Sequence, residues 1–129
     1  MIFLLDTVTI IRHFSNSGKI GKKALEILNS VEKSDTEFAI SVISLMEIMY
    51  LSEKNRIGID LQKTFSIIAE TSGYQIIDLN LEIIKTASQI QFYELHDRII
   101  IASALWLGIP IITSDSQFSK IKDLEIIWD

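Results

Sequence analysis

Apolar positions in this chain fall into short unbroken runs separated by longer stretches with helical spacing. The first run, Ile2-Phe3-Leu4-Leu5, ends abruptly in Asp6 and predicts a buried strand. Ile20, Ala24, Leu28 and Val31 recur at helical intervals, which predicts a helix over roughly Lys19 to Lys33. Glu37–Ser41 predicts a second strand, and a helix follows from about Ser44 to Asn55. Leu61, Phe65, Ile68 and Ala69 mark a further amphipathic helix ended by Gly73. Gln75–Ile77 is a third strand, with Ile83, Ala87 and Ile90 on the helix after it.

The stretch Ile99–Leu107 is apolar on nearly every side, so it should form a deeply packed central helix, led by Asp97 and stopped by Gly108. Pro110–Thr113 and Glu125–Trp128 complete the strands. Strands that alternate with helices predict an α/β fold, a mostly parallel sheet of about five strands with helices on both faces. Ligands of such sheets bind at the carboxyl ends of the strands, the edge where the helices also begin. Asp6 ends the first strand, and Asp115 lies just beyond the fourth. Glu47 falls in the first turn of the helix after the second strand, and Asp97 starts the helix that feeds the fourth. All four acids should meet at one edge.

Each acid also has an ordinary structural explanation. Asp6 suits a helix cap, and Ser44-x-x-Glu47 has the form of a capping box. Asp97 complements the positive end of its helix, with Arg98 beside it as a surface charge, and Asp115 suits a turn. Asp78, at the end of the third strand, is assigned to a turn or cap. Convergence favours the shared explanation. Two carboxylates about 5 Å apart repel by roughly 3 kcal/mol at an effective dielectric near 20, so four together call for a cation. Oxygen ligands without cysteine or paired histidine point to Mg²⁺ or Mn²⁺ rather than zinc.

Composition narrows the rest. The 129 residues suit one domain spanning 1–129, and 48% hydrophobic residues are enough for a folded core. With no cysteine, disulfides and thiol catalysis are excluded, and a reducing cytoplasm is the expected location. No stretch has the ~20 apolar residues of a membrane helix, and the first residues do not resemble a signal peptide. A net charge of -5 argues against a passive basic nucleic-acid binder, but not against an enzyme whose acids hold metal.

Four segments resemble the PIN domain family, and within it the VapC-like toxins of toxin–antitoxin pairs. They are Phe3-Leu4-Leu5-Asp6-Thr7, Ser41-Val42-Ile43-Ser44-Leu45-Met46-Glu47-Ile48, His96-Asp97-Arg98-Ile99-Ile100-Ile101-Ala102-Ser103-Ala104 and Ile112-Thr113-Ser114-Asp115-Ser116-Gln117-Phe118, in the family's order. The resemblance implies a Rossmann-like fold and an Mg²⁺- or Mn²⁺-dependent ribonuclease with acids at Asp6, Glu47, Asp97 and Asp115. Thr7, Ser44 and Thr113 are expected as supporting hydroxyls. A homodimer and a co-expressed antitoxin are implied as well. Many such toxins carry Asp-Pro-x-Asp before the penultimate helix; here the stretch is Glu94-Leu95-His96-Asp97, which keeps the second acid.

On this reading Asp6, Asp97 and Asp115 hold one or two ions and Glu47 binds or orients the attacking water, leaving a 5′-phosphate and a 3′-hydroxyl. Arg98, and beyond the Glu47 helix Lys54 or Arg56, are candidates for contact with the RNA backbone. Cleavage through the 2′-hydroxyl would require two acid–base groups, and nothing brings His13 to His96. A phosphatase of the haloacid dehalogenase type should show Asp-x-Asp, but Val8 stands at the second position. A non-catalytic interaction module stays open, with Ile10, Ile11 and Phe14 as candidate partner or dimer contacts and core packing as their equal alternative.

Overall fold

The computed structural model describes residues 1–31, 35–92 and 94–129. Within them five strands, β1 (Ile2–Leu5), β2 (Glu37–Ser41), β3 (Tyr74–Ile77), β4 (Ile111–Ile112) and β5 (Ile126–Ile127), form one sheet in the order β3-β2-β1-β4-β5. Every neighbouring pair is parallel. The helices are α1 (Thr7–Ser15), α2 (Lys22–Leu28), α3 (Val42–Glu53), α4 (Leu61–Glu70), α5 (Leu81–Ser88) and α6 (Leu95–Leu107), with a 3₁₀ helix over Ser116–Lys120.

Strands that are apolar throughout belong to sheets covered on both faces, and β1 shows why. Side chains alternate across a strand. Phe3 and Leu5 pack with Ile10 and Phe14 of α1, Ala24 and Leu28 of α2, and Ile48 of α3. Leu4 packs on the opposite face with Ile100, Ile101 and Ala104 of α6 and with Phe118. Ile10 and Phe14 are therefore core residues, with Ile11 packed against the same cluster, rather than a partner surface. The expected central helix is α6. Ile99 to Ala104 are six consecutive buried residues, and Ile99 and Ala102 meet Ile83 and Ala87 of α5. Its one buried polar residue, Ser103, donates to the carbonyl of Ile99 at 2.8 Å. Gly108 ends it in the left-handed region at φ 67, where a glycine avoids the steric penalty of a Cβ.

Three expected boundaries shift for identifiable reasons. Helix α2 begins at Lys22, not near Lys19, because Gly21 sits directly against the Trp128 carbonyl, where any Cβ would collide. The Ala24 N–H donates to that same carbonyl at 3.0 Å, so β5 fixes where the helix starts. The helix closes at Leu28, short of Val31, while Lys33 lies outside the described residues. Helix α3 begins at Val42, directly after β2, because Ser41 supplies the cap: its Oγ accepts from the Ile43 N–H at 3.1 Å. Strand β4 is shorter than Pro110–Thr113, although its flanks still pair. The Pro110 carbonyl accepts from Leu4 at 2.9 Å, and the Thr113 N–H donates to Ile127 at 3.2 Å.

The order of strands positions the site. From β1 the chain moves outward to β2 and β3, then returns through α5 and α6 to place β4 on the other side of β1. The crevice outside the carboxyl ends of β1 and β4 is the switch point at which sheets of this kind bind ligands. Among the described residues no helix is long and apolar enough to cross a membrane.

Candidate active site at the carboxyl edge of the sheet

Each inner strand changes from apolar to polar at this edge. Leu5 is followed by Asp6, Ile40 by Ser41, and Ile112 by Thr113, and all six residues are buried. Asp6 spans the crevice. One carboxylate oxygen accepts from the Thr9 N–H at 2.9 Å and caps α1; the other accepts from Thr113 Oγ1 at 2.6 Å. Thr9 Oγ1 donates in turn to the Ile112 carbonyl at 3.1 Å, so α1 and β4 are joined twice.

Asp115 lies two residues beyond Thr113. Its backbone N–H donates to Thr113 Oγ1 at 3.0 Å, and its Oδ1 accepts from the Gln117 N–H at 2.9 Å as cap of the 3₁₀ helix. For Asp6 and Asp115 the capping explanation is therefore observed, and it does not exclude the site explanation. A cap fixes the side-chain rotamer and uses only part of the carboxylate's accepting capacity.

Glu47 behaves differently. The capping box Ser44-x-x-Glu47 is not the one that forms, because Ser41 already caps α3 and Ser44 lies a turn inside it. Glu47 Oε1 instead accepts from Thr7 Oγ1 at 2.6 Å, and Thr7 Oγ1 lies 2.9 Å from Ser44 Oγ. Thr7 has a single hydroxyl proton and gives it to Glu47, so Ser44 must donate to Thr7. The three supporting hydroxyls, Thr7, Ser44 and Thr113, thus all end on site carboxylates directly or through one link.

Asp97 stands in the first turn of α6, but the cap is Glu94, whose Oε1 accepts from the Asp97 N–H at 2.9 Å. That leaves the Asp97 side chain free to face the other acids. Burial and repulsion from Glu94, Glu47, Asp6 and Asp115 push its carboxyl up to about 7. Burial also raises Asp6, against the hydrogen bonds from Thr113 and Thr9, and Asp115 adds repulsion. Glu47 is raised mainly by burial, while the Thr7 hydrogen bond and then His96 pull it down. These influences show that Asp6, Glu47, Asp97 and Asp115, the four acids named from the sequence, share one edge of the sheet and feel one another's charge.

The donor set fits a hard divalent cation. Among the described residues no Lys or Arg nitrogen lies within 4.0 Å of any of the four carboxylates; the imidazole of His96 comes near them, with Nδ1 3.5 Å from Glu47 Oε2. Asp6 is buried and Glu47, Asp97 and Asp115 are half-buried; acids so placed are ordinarily paired or held by metal, and these have oxygen neighbours and no thiolates. Sequence reasoning missed the contribution of His96 and Glu94, which with Glu47 can bring their ligand atoms within 4.8 Å of one another. The signal was present in the spacing: residues one and three before Asp97 start the same helix and share its edge of the sheet. The remaining expectations sort plainly. Arg98 is half-buried, and its Nε is buried without a partner among the described residues, so it is no ordinary surface charge. Lys54 and Arg56 are exposed, with Lys54 Nζ 5.7 Å from the centre of the Tyr50 ring. Asp78 is exposed in the connection to α5, whose cap is Asn80. His13 lies in the last turn of α1, whose first turn is at the site, and takes no part in it.

A parallel sheet in this order with acids gathered at its switch point is the architecture of PIN domains. The chain belongs to the PIN domain family, whose model matches residues 3–124. A comparison with curated proteins finds no significant sequence match. Among solved structures the chain is similar to VapBC2 from Rickettsia felis bound to a DNA fragment from its promoter, with 20% identity, full coverage of both chains and a TM-score of 0.76. It is also similar to a toxin–antitoxin complex from Klebsiella pneumoniae, at 25% identity over 97% of this chain and 95% of that one, with a TM-score of 0.67. A third similar structure is VapC20 from Mycobacterium tuberculosis, described as a Sarcin-Ricin loop cleaving toxin. It shares 16% identity over 93% and 94% of the two chains, at a TM-score of 0.66.

Proposed function

We propose that the protein is a divalent-metal-dependent endoribonuclease and the toxin of a VapBC-type pair, acting in the cytoplasm as one domain. The observation that carries this reading is the set of Asp6, Glu47, Asp97 and Asp115 at one edge, with no Lys or Arg nitrogen within 4.0 Å of their carboxylates among the described residues. Membership of the PIN family and the likeness to VapBC complexes support it. RNA cleavage in particular is suggested by VapC20, and an antitoxin partner by the VapBC assemblies. We take the working form to be a homodimer held inactive by that antitoxin.

Asp6, Asp97 and Asp115 would hold the ion, Mg²⁺ or Mn²⁺, with Glu47 at its side. When bound, the ion supplies Lewis acidity that brings a water toward ionisation near neutral pH and offsets charge on the phosphate. The remaining work belongs to the chain. Thr113 and the Thr9 N–H fix Asp6 from two sides, so its free lone pairs point one way. Thr7 fixes one oxygen of Glu47, leaving the other to accept a proton or hydrogen bond from the attacking water. A groove of about 450 Å³, lined by Met46, Met49 and Tyr50 together with Glu47 and His96, would take the part of the RNA that lies beside Glu47. Arg98, an obligate cation that follows Asp97 and is half-buried at this edge, is the candidate contact for a backbone phosphate.

The test is the chemistry of the product ends. Cellular RNA incubated with the purified protein and Mg²⁺ or Mn²⁺ should yield fragments with 5′-phosphate and 3′-hydroxyl termini, and EDTA should stop the reaction. Fragments ending in a 2′,3′-cyclic phosphate would overturn the mechanism, and intact RNA under every metal would favour a binding module.

A further inference from the structure

Glu47 is held on one side by a chain of hydroxyls, Ser44 to Thr7 to Oε1. A carboxylate fixed at one oxygen still pivots about that contact, so its second oxygen has no set position. The His96 ring lies beside that second oxygen. Its Nδ1 lies 3.5 Å from Glu47 Oε2 and 3.5 Å from Glu94 Oε2, while the other oxygen of Glu94 is anchored as cap of α6. The imidazole is itself located by the helix it belongs to, one residue before Asp97. Glu47 on α3 and Asp97 on α6 are therefore tied through one ring rather than through a loop.

We propose that His96 is a positioning residue, which with Thr7 sets the plane of the Glu47 carboxylate relative to Asp97. The single Nδ1–H is shared between Glu47 Oε2 and Glu94 Oε2, so the ring limits the freedom of the Glu47 carboxylate while Glu94 keeps Nδ1 turned toward the site. At 3.5 Å both contacts are longer than a hydrogen bond, as such contacts often are before the substrate complex tightens them. The role rests on the nuclease reading only in its kinetic consequence; the physical link between His96 and Glu47 does not.

Two measurements on the full chain separate these. In Mg²⁺-dependent RNA cleavage, His96→Ala and His96→Gln should lower kcat about 10- to 100-fold, the range for groups that orient a site's ligands. KM should stay within about twofold, since the lost interaction matters in the transition state. His96→Asn, whose amide nitrogen takes the place of Nδ1, should recover most of kcat, whereas Gln mimics the far nitrogen and should not. A loss confined to KM, or Asn no better than Gln, overturns the proposal. In EDTA, a double-mutant cycle on the melting temperature tests the link without activity. The shift caused by His96→Ala should shrink when Glu47 is alanine, and equal shifts in the two backgrounds overturn the proposal. If the wild-type protein cuts no RNA, the nuclease reading falls and the cycle alone decides for or against His96.

Discussion

The carboxyl edge of the sheet and the layer beneath it are built from the same strands and obey opposite rules. Leu4, Leu5, Ile111 and Ile112 are wholly buried among apolar neighbours, and one peptide bond further on Asp6 and Thr113 are almost as buried among polar ones. In the lower layer every contact favours folding. At the edge the hydrogen bonds are satisfied but the charges are not: burial and neighbouring carboxylates raise the proton affinity of Asp6, Glu47 and Asp97, and among the described residues no Lys or Arg nitrogen lies within 4.0 Å of them. The difference teaches that the edge is arranged for something other than the stability of the metal-free chain. Substitutions in the two layers should therefore differ in their metal response, and only removal of an acid's charge at the edge should raise the stability of the metal-free chain.

The largest stability effect is expected in the lower layer. Ile101, fully buried one turn after Asp97, should lose about 2–5 kcal/mol as alanine, read by urea unfolding. The rise in melting temperature on adding Mn²⁺ should persist in the variant, because no acid has moved. If that rise vanished, the two layers would not be separable. A smaller loss is expected from Thr113→Val, which keeps the shape but removes the donor to a buried carboxylate. It should cost about 1–3 kcal/mol at neutral pH. Unlike Ile101→Ala, it should also weaken Mn²⁺ binding measured by calorimetry.

A third shift should have the opposite sign. Asp97 has its carboxyl raised in the folded protein to about 7 from an ordinary 3.8. The folded state therefore holds that proton more tightly than the unfolded chain does. Without metal the protein should lose stability as pH rises from about 4 through 7, and stay less stable above that. Asp97→Asn removes the loss, so its advantage in EDTA should be absent near pH 4 and complete by pH 8 in paired melting curves. Metal competes with the same proton, and Mn²⁺ affinity of the wild type should fall as pH drops through 7. An Asn variant less stable than wild type at pH 8 would show that the cluster is not under repulsion.

Much of this was legible in the sequence, because both signals are local. Runs such as Ile2–Leu5 and the unbroken apolar stretch from Ile99 set element type, and the alternation of types set the parallel sheet. Once helices run antiparallel to strands, the edge holding Asp6 must also hold Glu47, Asp97 and Asp115. What was not legible depends on distant partners. Gly21 starts α2 where it does because Trp128, more than a hundred residues away, lies against it. Ser41 and Ser44 both precede helical sequence, and only the position of Thr7 decides that Ser44 serves the site and Ser41 the cap. His96 and Glu94 looked like residues flanking a motif, since their distance from Glu47 is set by how α3 packs on α6.

The central claim, that this edge is a cation site used to cut RNA, is met most directly by assaying cleavage and melting together for the wild type, Asp6→Asn and Asp97→Asn. Mg²⁺ or Mn²⁺ should activate the wild type and raise its melting temperature, and EDTA should abolish both effects. Each Asn variant should fold and yet lose at least about a hundredfold in rate, as expected when a charged group at a reacting phosphate is removed. Retained cleavage in either variant, or a wild type whose melting ignores divalent ions and whose RNA stays intact, would contradict the account.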